Sequence, residues 1–129
     1  MQGLFTKKFN VDSIIENAKE KDGKDFINFL ASVMKEPEKD LISDLYNELG
    51  KDFLLGFLEK TLEVENESGM VRKSTKDDKV VKRTTGGIFF FLIRGNEKGN
   101  VFVKEIFKKH ARNFQKMRKL EKRLGKMEF

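Results

Sequence analysis

The run Lys82-Arg83-Thr84-Thr85-Gly86-Gly87-Ile88-Phe89-Phe90-Phe91-Leu92-Ile93-Arg94 concentrates the chemistry that this chain can offer. Two cations and two hydroxyls precede a glycine pair, six apolar residues follow without a break, and a third cation closes the run. Paired glycines permit backbone angles and close approaches that a Cβ forbids, and amides exposed at a helix start can face an anion. Phosphate is the anion this points to, with Thr84, Gly86 and Gly87 around it. Periodicity alone does not decide whether the apolar run is a buried strand or a helix. On a helical wheel Ile88, Phe89, Leu92 and Ile93 share one face, while Phe90, Phe91 and Arg94 fall toward the other. Two readings stay open: a helix buried all round in a helical core, and a surface on which flat rings stack on Phe90 or Phe91 beside the Arg94 cation.

Upstream, residues 66–85 lose the apolar periodicity and carry Arg72, Lys73, Lys76, Lys79, Lys82 and Arg83. Such a segment buries too little apolar surface to offset the entropy of ordering it, so a long mobile loop is expected. Its length makes it a candidate for function. Lys73, Lys76, Lys79, Lys82 and Arg83 are the cations it offers to a phosphate backbone. The net charge of +6 is unevenly spread: residues 1–71 hold 9 Lys/Arg against 15 Asp/Glu, residues 72–103 hold 8 against 3, and residues 104–129 hold 10 against 3. An acidic first half joined to a basic second half suits a polyanion docking on one side. A basic helix that docks an acidic protein, or pairs with a second helix, has the same charge pattern.

Catalysis finds few candidates. His110, the single histidine, falls among Lys108, Lys109 and Arg112 with no serine or cysteine to activate, and reads as a surface or edge-of-core residue. There is no phosphate-loop or dinucleotide motif and no zinc-type cluster, and with no cysteine neither disulfides nor thiolate metal sites can form. Glu63 and Glu65 alone make a weak case for metal or acid–base work. No enzyme, cofactor or metal is expected. No apolar run is long enough to span a bilayer and no secretory signal opens the chain, so an internal, non-secreted protein is expected. The glycosylation triplet at Asn66 is discounted on that ground.

Helices position these residues. Ser13 and Glu16 have capping-box spacing ahead of the stripe Val11, Ile14, Ile15, Ala18. Phe26, Ile27, Leu30, Val33 and Met34 mark a second helix that ends before Pro37, which is placed to open a third. That third helix carries Leu41, Ile42, Leu45, Tyr46 and Leu49 and closes at Gly50. A fourth runs from about Lys51 to Val64. After the Gly-Gly helix, Gly95 and Gly99 punctuate a break, and residues 100–125 form a basic amphipathic helix through Val103, Ile106, Phe107, Ala111, Phe114, Met117, Leu120 and Leu124. Short connections favour antiparallel packing.

Glu36-Pro37-Glu38-Lys39-Asp40-Leu41-Ile42, then Leu49-Gly50, then Thr61-Leu62-Glu63-Val64-Glu65 before Gly69-Met70, and last Arg83-Thr84-Thr85-Gly86-Gly87-Ile88-Phe89, occur in an order that resembles the RNA-binding domain of the phosphorylated adapter for RNA export, over about residues 28–107. The resemblance implies an all-helical domain that binds single-stranded RNA with little sequence preference, within an adapter that exports small nuclear RNA and works with the cap-binding complex and an export receptor, in nucleus and cytoplasm. It carries the family's basic loop and helix start onto Lys82, Arg83, Thr84, Gly86 and Gly87, its basic helix position onto Arg94, and a polar-to-basic position onto Lys39. The family usually has proline at Thr85 and a polar residue at Phe91. The expected architecture is all-α: a compact bundle of five to six helices, with residues 1–107 as the RNA-binding domain and 108–129 as a basic helical extension. It is expected to be monomeric and without a membrane partner.

Overall fold

The computed structural model describes residues 9–73 and 79–127, with side chains described as far as residue 113 and at 115, 116 and 119. Among the described residues it contains six helices, α1 (Val11–Lys19), α2 (Gly23–Met34), α3 (Lys39–Leu49), α4 (Lys51–Glu67), α5 (Thr85–Asn96) and α6 (Val101–Met127). Strands β1 (Val71–Lys73) and β2 (Val80–Lys82) lie between α4 and α5. The all-α expectation holds.

Local chemistry explains the element ends. The side chain of Asn10, whose backbone is extended, accepts the Ser13 amide at 3.1 Å, so α1 starts at Val11 and the Ser13–Glu16 spacing lies inside the helix. A cap needs non-helical backbone, and Asn10 supplies it one turn earlier than the sequence pattern suggests. Lys35 ends α2 in the left-handed conformation, φ 52°, with the Glu36 amide donating to Ala31 O at 2.8 Å. Pro37 does not open α3. The Glu36 carboxylate reaches across it to accept the Glu38 amide at 2.9 Å, and the helix begins at Lys39. A single residue, Gly50 at φ 89°, separates α3 from α4, an angle that side-chain-bearing residues rarely adopt.

The core is aliphatic and phenyl. Phe26, Leu30, Ile42, Leu45, Leu54 and Leu58 are fully buried, and Leu62, Ile88, Phe89 and Ile93 join them. α4 packs against α1, α3 and α5, and α3 packs also against α2 and α6. α4 runs three residues past its expected end. Glu65 is buried there, and the Asn66 amide both accepts from and donates to the Phe9 backbone, each bond 2.8 Å, which ties the start of the described chain to α4.

The segment 66–85, expected to be a mobile unstructured loop, instead contains the end of α4 and an antiparallel hairpin, with Val71 opposite Lys82, Arg72 opposite Val81 and Lys73 opposite Val80. All six strand side chains are exposed, so the hairpin is held by its backbone ladder and by the Arg83 amide donating to Met70 O at 2.7 Å. Poor burial does not preclude backbone pairing. Lys76 lies outside the described residues.

Asn100 caps α6, accepting from the Phe102 and Val103 amides at 2.9 and 3.1 Å. Gly95 lies inside α5 and does not break it. α6 is 27 residues, about 40 Å at 1.5 Å per residue. Val103 is buried, and Ile106, Phe107 and His110 are half-buried; from Ala111 onward every described side chain is exposed. The helix therefore docks by its first turns, and Phe114, Met117, Leu120 and Leu124 lie outside the described side chains. Among the described residues no helix is long and apolar enough to cross a membrane.

Candidate nucleic-acid interface

Thr84 is the N-cap of α5: its backbone is extended, and its hydroxyl oxygen accepts the Gly87 amide at 3.0 Å. The next hydroxyl, of Thr85, donates to Glu65 Oε2 at 2.7 Å. Gly86 is buried because the Glu36 side chain lies where its Cβ would be. The helix start thus already faces local oxygen groups, a hydroxyl at Gly87 and a carboxyl at Gly86. Desolvation pushes the Glu36 carboxyl above its ordinary range; the Glu38 amide partly offsets this, and the Glu38 charge adds to it. Gly86 serves close packing against Glu36, and Gly87 the close approach of the Thr84 hydroxyl, as much as any approach of a phosphate.

The apolar run that follows is buried on most of its circumference but not all. Ile88, Phe89, Phe90 and Ile93 face the core, Leu92 is half-buried, and Phe91 stays 40% exposed. Of the two rings considered for stacking, Phe90 is 9% exposed and lies edge-on to Phe89 and Phe107, with centroids 5.7 and 6.1 Å away. Phe91 is the available surface. Its cation is Arg83, whose guanidinium stands 4.4 Å from the ring centroid; Arg94, expected to be that neighbour, instead covers Phe107 at 5.3 Å. A helical wheel places Arg94 one turn from Phe91, but the packing of α6 against α5 brings a ring within its reach.

A groove of about 490 Å³ opens between the start of α3, α5 and α6. Arg83, Gly87, Phe90 and Arg94 line one side, Glu36 and Glu38 another, and Phe107 and His110 the third. Four of the residues named from the sequence therefore meet in one place. Arg83 Nε is buried there with no hydrogen-bond partner among the described residues. At the α6 side, His110 Nε2 lies 2.7 Å from Asp44 Oδ2 and Lys109 Nζ lies 3.5 Å from the same oxygen. Burial raises the Asp44 carboxyl, but the hydrogen bond to His110 and the Lys109 charge outweigh it, and the net shift is downward.

Other named residues stand apart from the groove. Lys39 is exposed on the first turn of α3, and Lys73 and Lys79 are exposed on and beside the hairpin strands. The Lys82 side chain lies across Gly69: its ammonium and a Glu65 carboxylate oxygen both fall within 4 Å of where a Gly69 Cβ would sit. Glu36, Glu38, Phe107 and His110 carried no signal in the sequence for this groove, since nothing local says which helices close around it.

A family model described as phosphorylated adapter RNA export protein, RNA-binding domain, matches residues 26–112, a span that takes in the hairpin, α5 and every residue of the groove. No curated protein and no solved structure matches the chain.

Proposed function

The chain belongs to the RNA-binding-domain family of the phosphorylated adapter RNA export protein, and from that premise we propose that it binds single-stranded RNA with little sequence preference. The observation that carries this reading is the half-exposed Phe91 ring with the Arg83 guanidinium 4.4 Å above it at the edge of the groove. Every base has a π-face, so a ring beside a cation accepts any of them. A backbone contact supplies affinity without sequence. The buried Arg83 Nε is a donor without an acceptor, an arrangement that costs about 1–3 kcal/mol and that a phosphate oxygen would relieve. Lys73, Lys79 and Lys82 add charge from the hairpin, and Arg94 from the side of the groove; Lys76, Lys39 and the Thr84-Gly86-Gly87 turn complete the candidate set.

The same reading places the protein in an adapter that moves small nuclear RNA out of the nucleus, with the cap-binding complex and an export receptor as partners and with a nuclear and cytoplasmic distribution. It assigns no catalysis and a monomeric state. A competing reading, a helical protein-interaction module, draws on Val101 and Phe102, each 66% exposed at the start of α6. Titrating labelled single-stranded RNA, duplex RNA and single-stranded DNA separates the two. Salt-dependent binding of the single strand supports the RNA reading, whereas self-association that RNA leaves unchanged supports the other.

A further inference from the structure

We propose that the strand does not stop at Arg94 but crosses it into a second cleft, where Lys98, Lys104 and Lys108 hold further phosphates. This rests on the RNA-binding reading above and extends its site to residues outside the basic loop and the Gly-Gly helix.

The cleft, about 380 Å³, lies between the end of α5 and the first turns of α6. Val103 and Phe107 form its apolar floor, and four cations, Arg94, Lys98, Lys104 and Lys108, surround it against one carboxylate, Glu97. Lys98 and Lys104 have no ion-pair partner among the described residues, and Lys108 has only an exposed contact to Glu105 at 3.9 Å, which is worth little in water. Lys104 and Lys108 are four residues apart and so share a helix face, with Phe107 beside them. Like charges gathered around an apolar floor repel one another unless an anion joins them.

Two features favour a nucleic-acid strand over a small anion. The cations line an open rim and do not converge on one buried point, which suits successive phosphates along a backbone. The cleft is also continuous with the first groove: Arg94 and Phe107 line both, and the guanidinium over the Phe107 ring forms the crest between them. A strand leaving Phe91 and Arg83 therefore meets Arg94 next and the three lysines after it. The counter-reading is that cations near the end of α5 serve only its dipole.

The test uses the full chain and two labelled oligouridylates, of about 4 and 12 nucleotides, within the range of known single-strand site sizes. The triple variant Lys98→Gln, Lys104→Gln, Lys108→Gln changes exposed side chains only and should keep the wild-type melting temperature. It is expected to bind the short RNA as wild type does and the long RNA more weakly. With about 0.7 lost per contact, the slope of log K against log salt on the long RNA should flatten by about 2. Across a fourfold rise in salt, the wild-type protein should then lose roughly 18-fold more affinity than the variant. Unchanged affinity and slope on the long RNA overturn the cleft. Equal weakening on both RNAs also overturns it, because the charge then acts at a distance. If Arg83→Gln abolishes binding while the triple variant has no effect, only the cleft fails; if folded wild-type protein binds neither RNA, the RNA-binding reading fails with it.

Discussion

Replacing Phe91 tests the stacking surface most directly, because the structure sets limits on both the stability and the affinity that can be lost. A fully buried Phe→Ala change costs roughly 3–5 kcal/mol. Phe91 keeps 40% of its surface exposed, so about 2–3 kcal/mol is the ceiling from packing, and loss of the Arg83 contact adds about 0.5–1 kcal/mol. Phe91→Ala thus confounds folding with binding, and Phe91→Leu is the sharper probe. Leucine keeps an apolar side chain at this partly covered position, at a cost below about 1.5 kcal/mol, or roughly 6 °C in Tm for a chain of this size. It has no π-face. If one base stacks on the ring, affinity should fall by about 1–3 kcal/mol, between about five-fold and 150-fold. Phe91→Tyr should restore it. Fluorescence anisotropy with a labelled single strand gives Kd, and thermal melting followed by circular dichroism gives stability. A Leu variant that binds RNA as tightly as wild type would refute stacking at this position and reduce Phe91 to a partly covered packing residue.

The remaining expectations concern charge and the start of α5. Arg83→Gln should flatten the salt slope by about 0.7 and, by removing the contact with the Phe91 ring, cost about 0.5–1 kcal/mol in melting, while Lys82→Gln, at an exposed side chain, should flatten the slope with little change in Tm; equal Tm for the two would remove that distinction. Glu36→Gln should raise Tm at neutral pH, since a carboxyl pushed above its ordinary range is destabilising when ionised, and the gain should shrink as pH falls through that raised value; melting curves between pH 7 and 4 decide it. The same variant removes an anion from the groove and should tighten RNA binding in anisotropy titrations. Asp44 carries the opposite sign: its carboxyl is held below the ordinary 3.8, so its contribution is present above that value and is lost as pH falls through the lower folded one. Asp44→Asn should therefore flatten the acid limb of the stability profile, and an unchanged limb argues against the pairing with His110 and Lys109. Thr85→Val removes the donor to Glu65 Oε2 and should cost about 1–3 kcal/mol in denaturant unfolding; a neutral outcome means another donor takes its place.

The sequence by itself determined the local features: apolar stripes that place α1 to α4, a turn at Gly50, the hydroxyl and glycine pair that open α5, the scarcity of catalytic groups, and motifs in an order that marks the family. Each of these is written in residues a few positions apart, where helical geometry converts spacing directly into a face or a cap. Even so, neighbours settled some boundaries, since Asn10 and not Ser13 caps α1, and the Glu36 carboxylate displaces the start of α3 past Pro37. Only the tertiary structure decided which aromatic ring and which cation are available to a ligand. Phe90 and Phe91 are adjacent and chemically identical, and it is Phe107, brought in by α6, that covers one and leaves the other open. Phe107 also takes Arg94 away from Phe91, and the hairpin returns Arg83 to it. Those assignments depend on how helices cross and which rotamers their side chains adopt, quantities set by the packed core as a whole and absent from the spacing of residues along the chain.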